Sequence, residues 1–221
     1  MEKIVLIGGG GHCKVVMDAI MAAGAYEIAG VVDPRLEVGS DVLGVPVVGD
    51  DSALAELMER GVKKAAIGVG SVGDPSLRKE IYARVRMMGF EFPSIVHPKA
   101  VVARDVEIGE GAFLAASATV NPGTRIGVSA IINTSSSIDH DCSIGDFAHI
   151  APGAVLSGGV EVGDETHIGT GAKVSHYVKI PGKTKIKAGS LVYTDGRGKM
   201  QVRTMIPVNL TGVQDRGEHA V

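Results

Sequence analysis

From Val96 to Val192 every sixth residue is Val, Ile or Leu, seventeen times without a break. Four residues after each comes a mostly small side chain, such as Ala100, Ala112, Ala118, Ala130, Cys142, Ala148, Ala154 and Ala172. An α-helix repeats at about 3.6 residues and a flat strand at about 2, so neither holds this register over such a length. A six-residue repeat reads as a parallel β-helix. Each hexad supplies a short strand and a turn. Three hexads close a triangular coil of about eighteen residues, and the coils stack at about the 4.8 Å inter-strand spacing. The aliphatic residue points inward, and the small one lets the chain bend round the corner. Gly109, Gly127, Gly145, Gly163 and Gly169, with Asn121, Asn133 and Asp139, directly follow the aliphatic residue and are expected to take the turn conformation. A β-sandwich would need loops of unequal length, and these would break the register.

The chain has 221 residues, room for one large or two modest domains. Apolar residues make up 45% and support a real core, whereas aromatics are only 4% and Trp is absent, which suits a narrow coil. The net charge of −3 gives no bulk electrostatic case for nucleic acid or an anionic membrane. Cys13 and Cys142 are far apart and form no CxxC site, and Cys142 occupies an inward small position. The short apolar run after Met1-Glu2-Lys3 reads as a strand and not a signal peptide, and no run approaches a membrane span. A cytoplasmic protein is expected.

Before the hexads the pattern changes. Lys3–Ile7 is an apolar strand ending in Gly8-Gly9-Gly10-Gly11, and His12 to Ala23 has helical spacing closed by Gly24. Ile28–Val32 is a second buried strand ending at Asp33-Pro34. Val45–Val48 and Lys64–Val69 read as further strands. Asp51 or Ser52 is expected to cap a helix through Arg60, and Asp74-Pro75 opens a helix that ends at Gly89. Strand, glycine turn, helix, strand and acid begin a Rossmann-like unit with a small parallel sheet. The glycine turn departs from GxGxxG. It reads either as a tight strand-to-helix turn or as a phosphate cradle at a helix N-terminus. The predicted division is 1–94 for this α/β unit and 95–221 for the all-β coil with its tail.

Gly9-Gly10-Gly11-His12-Cys13-Lys14-Val15-Val16, then a Rossmann-like unit, then hexads carrying Asn133…His140-Asp141, resemble the bacterial sialic acid O-acetyltransferase and nucleotide-aminosugar N-acetyltransferase family. The resemblance runs to about residue 195. It implies a left-handed β-helix and acetyl transfer from acetyl-CoA to a nucleotide-linked amino sugar, a 4-amino-4,6-dideoxy sugar in the first instance, for bacterial glycan biosynthesis. It also implies a homotrimer with the active site between adjacent subunits. O-acetylation of sialic acid is the alternative within the family, and a non-catalytic sugar-nucleotide binder is the alternative from another class.

The resemblance assigns catalysis to His140 as general base, with Asp141 raising its basicity and Asn133 beside it. It assigns acetyl-CoA contacts to His149, Gly158, Thr170 and Ala188. Gly10, Gly11, His12, Asp33, Pro34 and Gly70 would line the acceptor site. The residues fit the chemistry. His140 lies two places past the inward Ile138 and should face outward, and a His next to a carboxylate can accept the proton an attacking amine loses. Gly158, eighteen residues on, should lie one coil away on the same edge. His149 and His167 should stack, but no His-x4-His pair suggests a zinc site, so no metal is expected. Lys179, Lys183, Lys185 and Lys187 read either as a site for coenzyme A phosphates or as a solvated face. Gly68-Val69-Gly70-Ser71 and the tail, with Ile206-Pro207-Val208-Asn209, depart from the family pattern.

Overall fold

The computed structural model describes residues 1–204; Ile206-Pro207-Val208-Asn209 lies outside them. The α/β unit contains β1 (Glu2–Ile7), α1 (Gly11–Ala23), β2 (Tyr26–Val32), β3 (Asp41–Val42), β4 (Val45–Gly49), α2 (Ala53–Glu59), β5 (Lys64–Ile67) and α3 (Ser76–Met87). Its sheet has the order β3-β4-β2-β1-β5, parallel except for the β3–β4 hairpin. Gly24 closes α1 in the left-handed region at φ 62°, where glycine carries no Cβ penalty. The start of α2 differs from expectation. Neither Asp51 nor Ser52 caps it with a side chain; Asp50 accepts instead from the N–H and hydroxyl of Ser52. At α3 the Asp74 carboxylate accepts from the Ser76 N–H, so Pro75 lies just before the helix and not in its first turn.

The hexads form a parallel β-helix of two-residue strands on three faces. The docking face runs from Ile95–Val96 through Phe113–Leu114, Ile131–Ile132, His149–Ile150 and His167–Ile168 to Lys185–Ile186. The second face runs from Val101–Val102 through Ser137–Ile138 to Ser190–Thr194, where Met200–Thr204 pairs antiparallel and ends the coil with a hairpin. The third face runs from Glu107–Ile108 through Ser143–Ile144 to Lys179–Ile180. In each pair the second residue points inward, and Leu114, Ile132, Ile138, Ile150, Leu156, Ile168 and Val192 form one buried column with Cys142 among them.

The glycine expectation needs correcting. Left-handed backbone falls three places after the aliphatic residue, at Gly111, Gly123 and Gly153 but also at Ser117, Ser135, Asp141, Phe147 and Tyr177. The glycines directly after the aliphatic residue serve close stacking. A Cβ on Gly145 would stand 2.5 Å from the Asp164 backbone nitrogen of the next coil.

The outward residues set what each face does. On the docking face Ile95, Phe113 and Ile131 are buried with Cys13, Val16, Met17 and Ile20 of α1, so the coil and the α/β unit share one apolar cluster. Fully buried Arg78 stitches the two together, donating to the carbonyls of Ile67, Val69 and Ser129 at 3.1, 2.9 and 3.2 Å. Burial lowers its pKa to about 10, which leaves it cationic at neutral pH. The third face carries the exposed ladders Glu107–Arg125 and Glu161–Lys179, so Lys179 is spent on a surface pair of little energetic weight.

The stacking account predicts that Gly145→Ala costs about 1–3 kcal/mol, the range for overpacking against immovable backbone. Gly153→Ala, in open space at φ 65°, should cost only the left-handed penalty of about 1–2 kcal/mol. Denaturant midpoints of the two variants check the difference.

Candidate active site

His140 sits at the edge between the second and third faces, diagonally opposite the docking face. Its backbone N–H donates to Asp139 Oδ1 at 2.8 Å, and Asn121 holds the same oxygen at 3.0 Å. The ring Nδ1 lies 2.7 Å from Asp141 Oδ2. With Nδ1–H turned to that carboxylate, Nε2 is left as the basic nitrogen. The Asp141 hydrogen bond, with the charges of Asp139 and Asp141, outweighs partial desolvation and raises the His140 pKa above its usual value. The ring rests on Gly158, where a Cβ would be 2.6 Å from both Cε1 and Nε2. Gly158 therefore seats the imidazole, a role the sequence did not indicate. Cys142, one residue beyond Asp141, points its thiol at carbonyls in the interior, and burial pushes its pKa up, so it is no nucleophile.

A second group lies at the edge between the docking and second faces. His149 is buried there. Its Nδ1 donates to the Ser71 carbonyl at 2.9 Å, and its Nε2 accepts from the Asn133 amide at 3.0 Å. Burial lowers its pKa to about 4, so it stays neutral. Both ring nitrogens thus have partners inside the chain, and His149 braces the 68–71 loop against the coil. It lies directly beside His167 of the next coil, as the eighteen-residue spacing predicts, with the two rings edge to face and their centroids 4.8 Å apart. Asn133 accordingly meets His149 and not His140 of the same chain. Thr170 and Ala188 follow on this edge in later coils, where the Gly189 N–H donates to the Thr170 carbonyl.

The residues expected to line the acceptor site fall into separate sets: Gly10 and Gly11 at the start of α1, His12 beside Gly70, and Asp33 with Pro34 on a cavity. Gly10 and Gly11 open α1 with free space above them. His12 is largely buried, edge-on to Phe113 at 5.5 Å, and desolvation lowers its pKa to about 3. A Cβ on Gly70 would meet the His12 side chain at 3.4 Å, so these two residues are neighbours. Burial opposes the charge of Asp33, but N–H donors from Gly9 at 2.7 Å and Arg35 at 2.8 Å outweigh it and hold the carboxyl below its usual pKa. Asp33 and Pro34 line a cavity of about 310 Å³ together with Gly8, Val69, Asp51 and Arg84. The last two escaped sequence reasoning because Asp51 reads as a helix cap. Among the described residues no group of three His, Cys, Asp or Glu side chains is disposed to hold a metal ion, and no helix is long and apolar enough to cross a membrane.

Comparison with known proteins gives concordant matches. Residues 3–85 match the PglD N-terminal domain, and residues 141–176 match the bacterial transferase hexapeptide repeats. A histidine-to-asparagine variant of perosamine N-acetyltransferase from Caulobacter crescentus, solved in complex with CoA and GDP-perosamine, is 37% identical. The match covers 92% of this chain and 97% of that one, with a TM-score of 0.82. The acetyltransferase domain of PglB from Neisseria gonorrhoeae is 32% identical over 89% of this chain and 98% of that one, with a TM-score of 0.78. UDP-N-acetylbacillosamine N-acetyltransferase from Bacillus subtilis is 34% identical over 119 residues, and the match spans about half (52%) of that curated relative.

By NMR the His140 ring should titrate above the usual histidine range, and Asp141→Asn should lower that midpoint, since it removes the largest cause of the shift. Gly158→Ala should displace the ring, visible as altered His140 shifts with little change in melting.

Proposed function

The chain belongs to the hexapeptide-repeat sugar N-acetyltransferases that begin with a PglD-type domain, and from that premise we propose that it transfers an acetyl group from acetyl-CoA to the amino group of a nucleotide-linked amino sugar. In this reading residues 1–94 hold the nucleotide sugar and residues 95–221 carry the transfer. The backbone N–H groups at Gly10 and Gly11 face the diphosphate at the N-terminus of α1. The sugar then extends past His12 and Gly70 toward the coil. The substrate is a 4-amino-4,6-dideoxy sugar, and the reaction belongs in the cytoplasm.

His140 acts as the base. As the amine nitrogen bonds to the thioester carbonyl carbon, Nε2 takes the proton the amine loses, and as the C–S bond breaks the same nitrogen returns that proton to the sulfur, so coenzyme A leaves as its thiol. Asp141 holds the tautomer and stabilises the imidazolium. Gly158, Thr170 and Ala188 border the donor. No covalent enzyme intermediate is required.

The observation that carries the assembly is the separation of the groups. The nucleotide-side loops sit on the docking face, whereas His140 stands on the edge opposite it, with the packed interior between them. One chain cannot bring its own acceptor loop to its own His140. We therefore place the site between adjacent subunits of a homotrimer, where the His140 edge of one chain faces the Asn133 edge of the next. Only the closed ring gives every chain both neighbours.

Turnover of UDP-, GDP- and dTDP-linked 4-amino sugars should exceed that of free sialic acid, and turnover of sialic acid alone would contradict the proposal. His140→Ala should lower turnover by about 10²–10⁴-fold, as for a lost general base. Its melting temperature should barely change, because the side chain is half exposed. Light scattering should give three times the chain mass.

A further inference from the structure

We propose that the cavity at the end of β1 and β2 takes the nucleobase and that the Asp51–Arg84 pair at its mouth selects guanine. This rests on the reading that the α/β unit holds a nucleotide-linked sugar. The cavity, about 310 Å³, lies outside the carboxyl ends of the strands, between Gly8 after β1 and Val69 after β5. β2 and β5 flank β1 on opposite sides, so this is where the winding of the sheet reverses, the place where open α/β sheets bind ligands. Ile7, Val32, Val69, Leu77 and Ile81 give it apolar walls suited to a flat ring.

The polar groups differ in what they have left to offer. Both carboxylate oxygens of Asp33 already accept backbone N–H bonds, which fixes the loop around the cavity. Asp51 and Arg84 are joined through one carboxylate oxygen, Oδ2, and Nη2 at 2.7 Å, and each is 41% exposed. Among the described residues Asp51 Oδ1 accepts no hydrogen bond, and Arg84 Nη1 has only Glu80 at 3.7 Å. The pair is not needed to join its helices, because Leu54 and Leu57 of α2 already share a buried cluster with Ile81 and Val85 of α3.

A carboxylate beside a guanidinium presents acceptors and donors side by side. Guanine matches it, with N1–H and the exocyclic N2–H as adjacent donors to Oδ1 and to the remaining lone pair of Oδ2 of Asp51, and O6 as acceptor for Arg84. Uracil and thymine offer one N–H between two carbonyls, so one carbonyl would oppose the carboxylate. Adenine offers one donor group beside a ring acceptor. A site that accepts two hydrogen bonds discriminates against bases that lack one of the donors, and because both side chains are 41% exposed the factor is smaller than in a fully buried site.

Calorimetric titration of the full-length protein with GDP, UDP, dTDP and ADP tests this without any acyl transfer. GDP should bind at least about tenfold more tightly than the other three. Asp51→Asn, with its fold checked by circular dichroism, should lose about tenfold or more in GDP affinity and leave UDP affinity within about threefold. UDP or dTDP binding as tightly as GDP would overturn the guanine assignment and leave the acetyltransferase reading intact. An equal loss for all four nucleotides in Asp51→Asn would also overturn it, marking the pair as structural. Binding of none of them would remove the nucleotide site itself, and the proposed function with it. Should Asp51→Asn fail to fold, the selectivity of the unaltered protein decides.

Discussion

The docking of the α/β unit on one face of the triangular coil is the contact on which the rest of the molecule depends. A β-helix with aliphatic residues inside needs nothing further to fill its interior, and its outward positions are free to be polar. On this face the outward positions Ile95, Phe113 and Ile131 are apolar and buried against α1. Burying such a side chain contributes about 1.5–3 kcal/mol, so three of them make a firm seat. Arg78 adds direction, because its guanidinium can satisfy carbonyls of both parts only in one relative placement. That seat fixes where the 8–12 and 68–71 loops hang, and it commits one edge of the coil to them. The opposite edge, with His140, is left open to solvent.

Burial then separates histidines of the same intrinsic basicity. His12 and His149 are largely buried and stay neutral; His12 packs edge-on against Phe113 of the coil, and His149 bridges the two parts by hydrogen bonds from both ring nitrogens. His140 remains in contact with water, and its basicity is raised by a carboxylate one residue away. Asp141 occupies the left-handed turn position of its hexad at φ 58°. The corner geometry of the coil is therefore what turns its carboxylate back to the preceding ring. Gly158, one coil further on, supplies the flat support that lets the ring lie there.

The β-helix was legible because its register is one-dimensional: each hexad repeats the same inward and outward choice, and the inward column follows at once. The outward direction of His140 and the placing of His149 beside His167 came from the same arithmetic. The roles of individual glycines did not. Gly109, Gly127, Gly145 and Gly163 look like turn residues in sequence, yet the turn falls two places later and they are small because the next coil is close. The partners of His149 were also out of reach. Ser71 lies 78 residues away in another unit, and nothing in either local pattern says that they meet. Asp51 and Arg84 come together for a similar reason, through the packing of α2 beside α3.

In the proposed trimer a working site takes His140 from one chain and the nucleotide loop from another. Two variants separate these halves. His140→Ala removes the base, and Gly11→Glu places a carboxylate in the open space at the start of α1 and repels a diphosphate. Each alone should keep no more than about one hundredth of the unaltered activity. Co-expressed in equal amounts and randomly assembled, they should recover about one quarter of the unaltered activity, since about one site in four then draws both intact halves from different chains. Activity in the mixture no greater than in the separate variants would contradict the shared site.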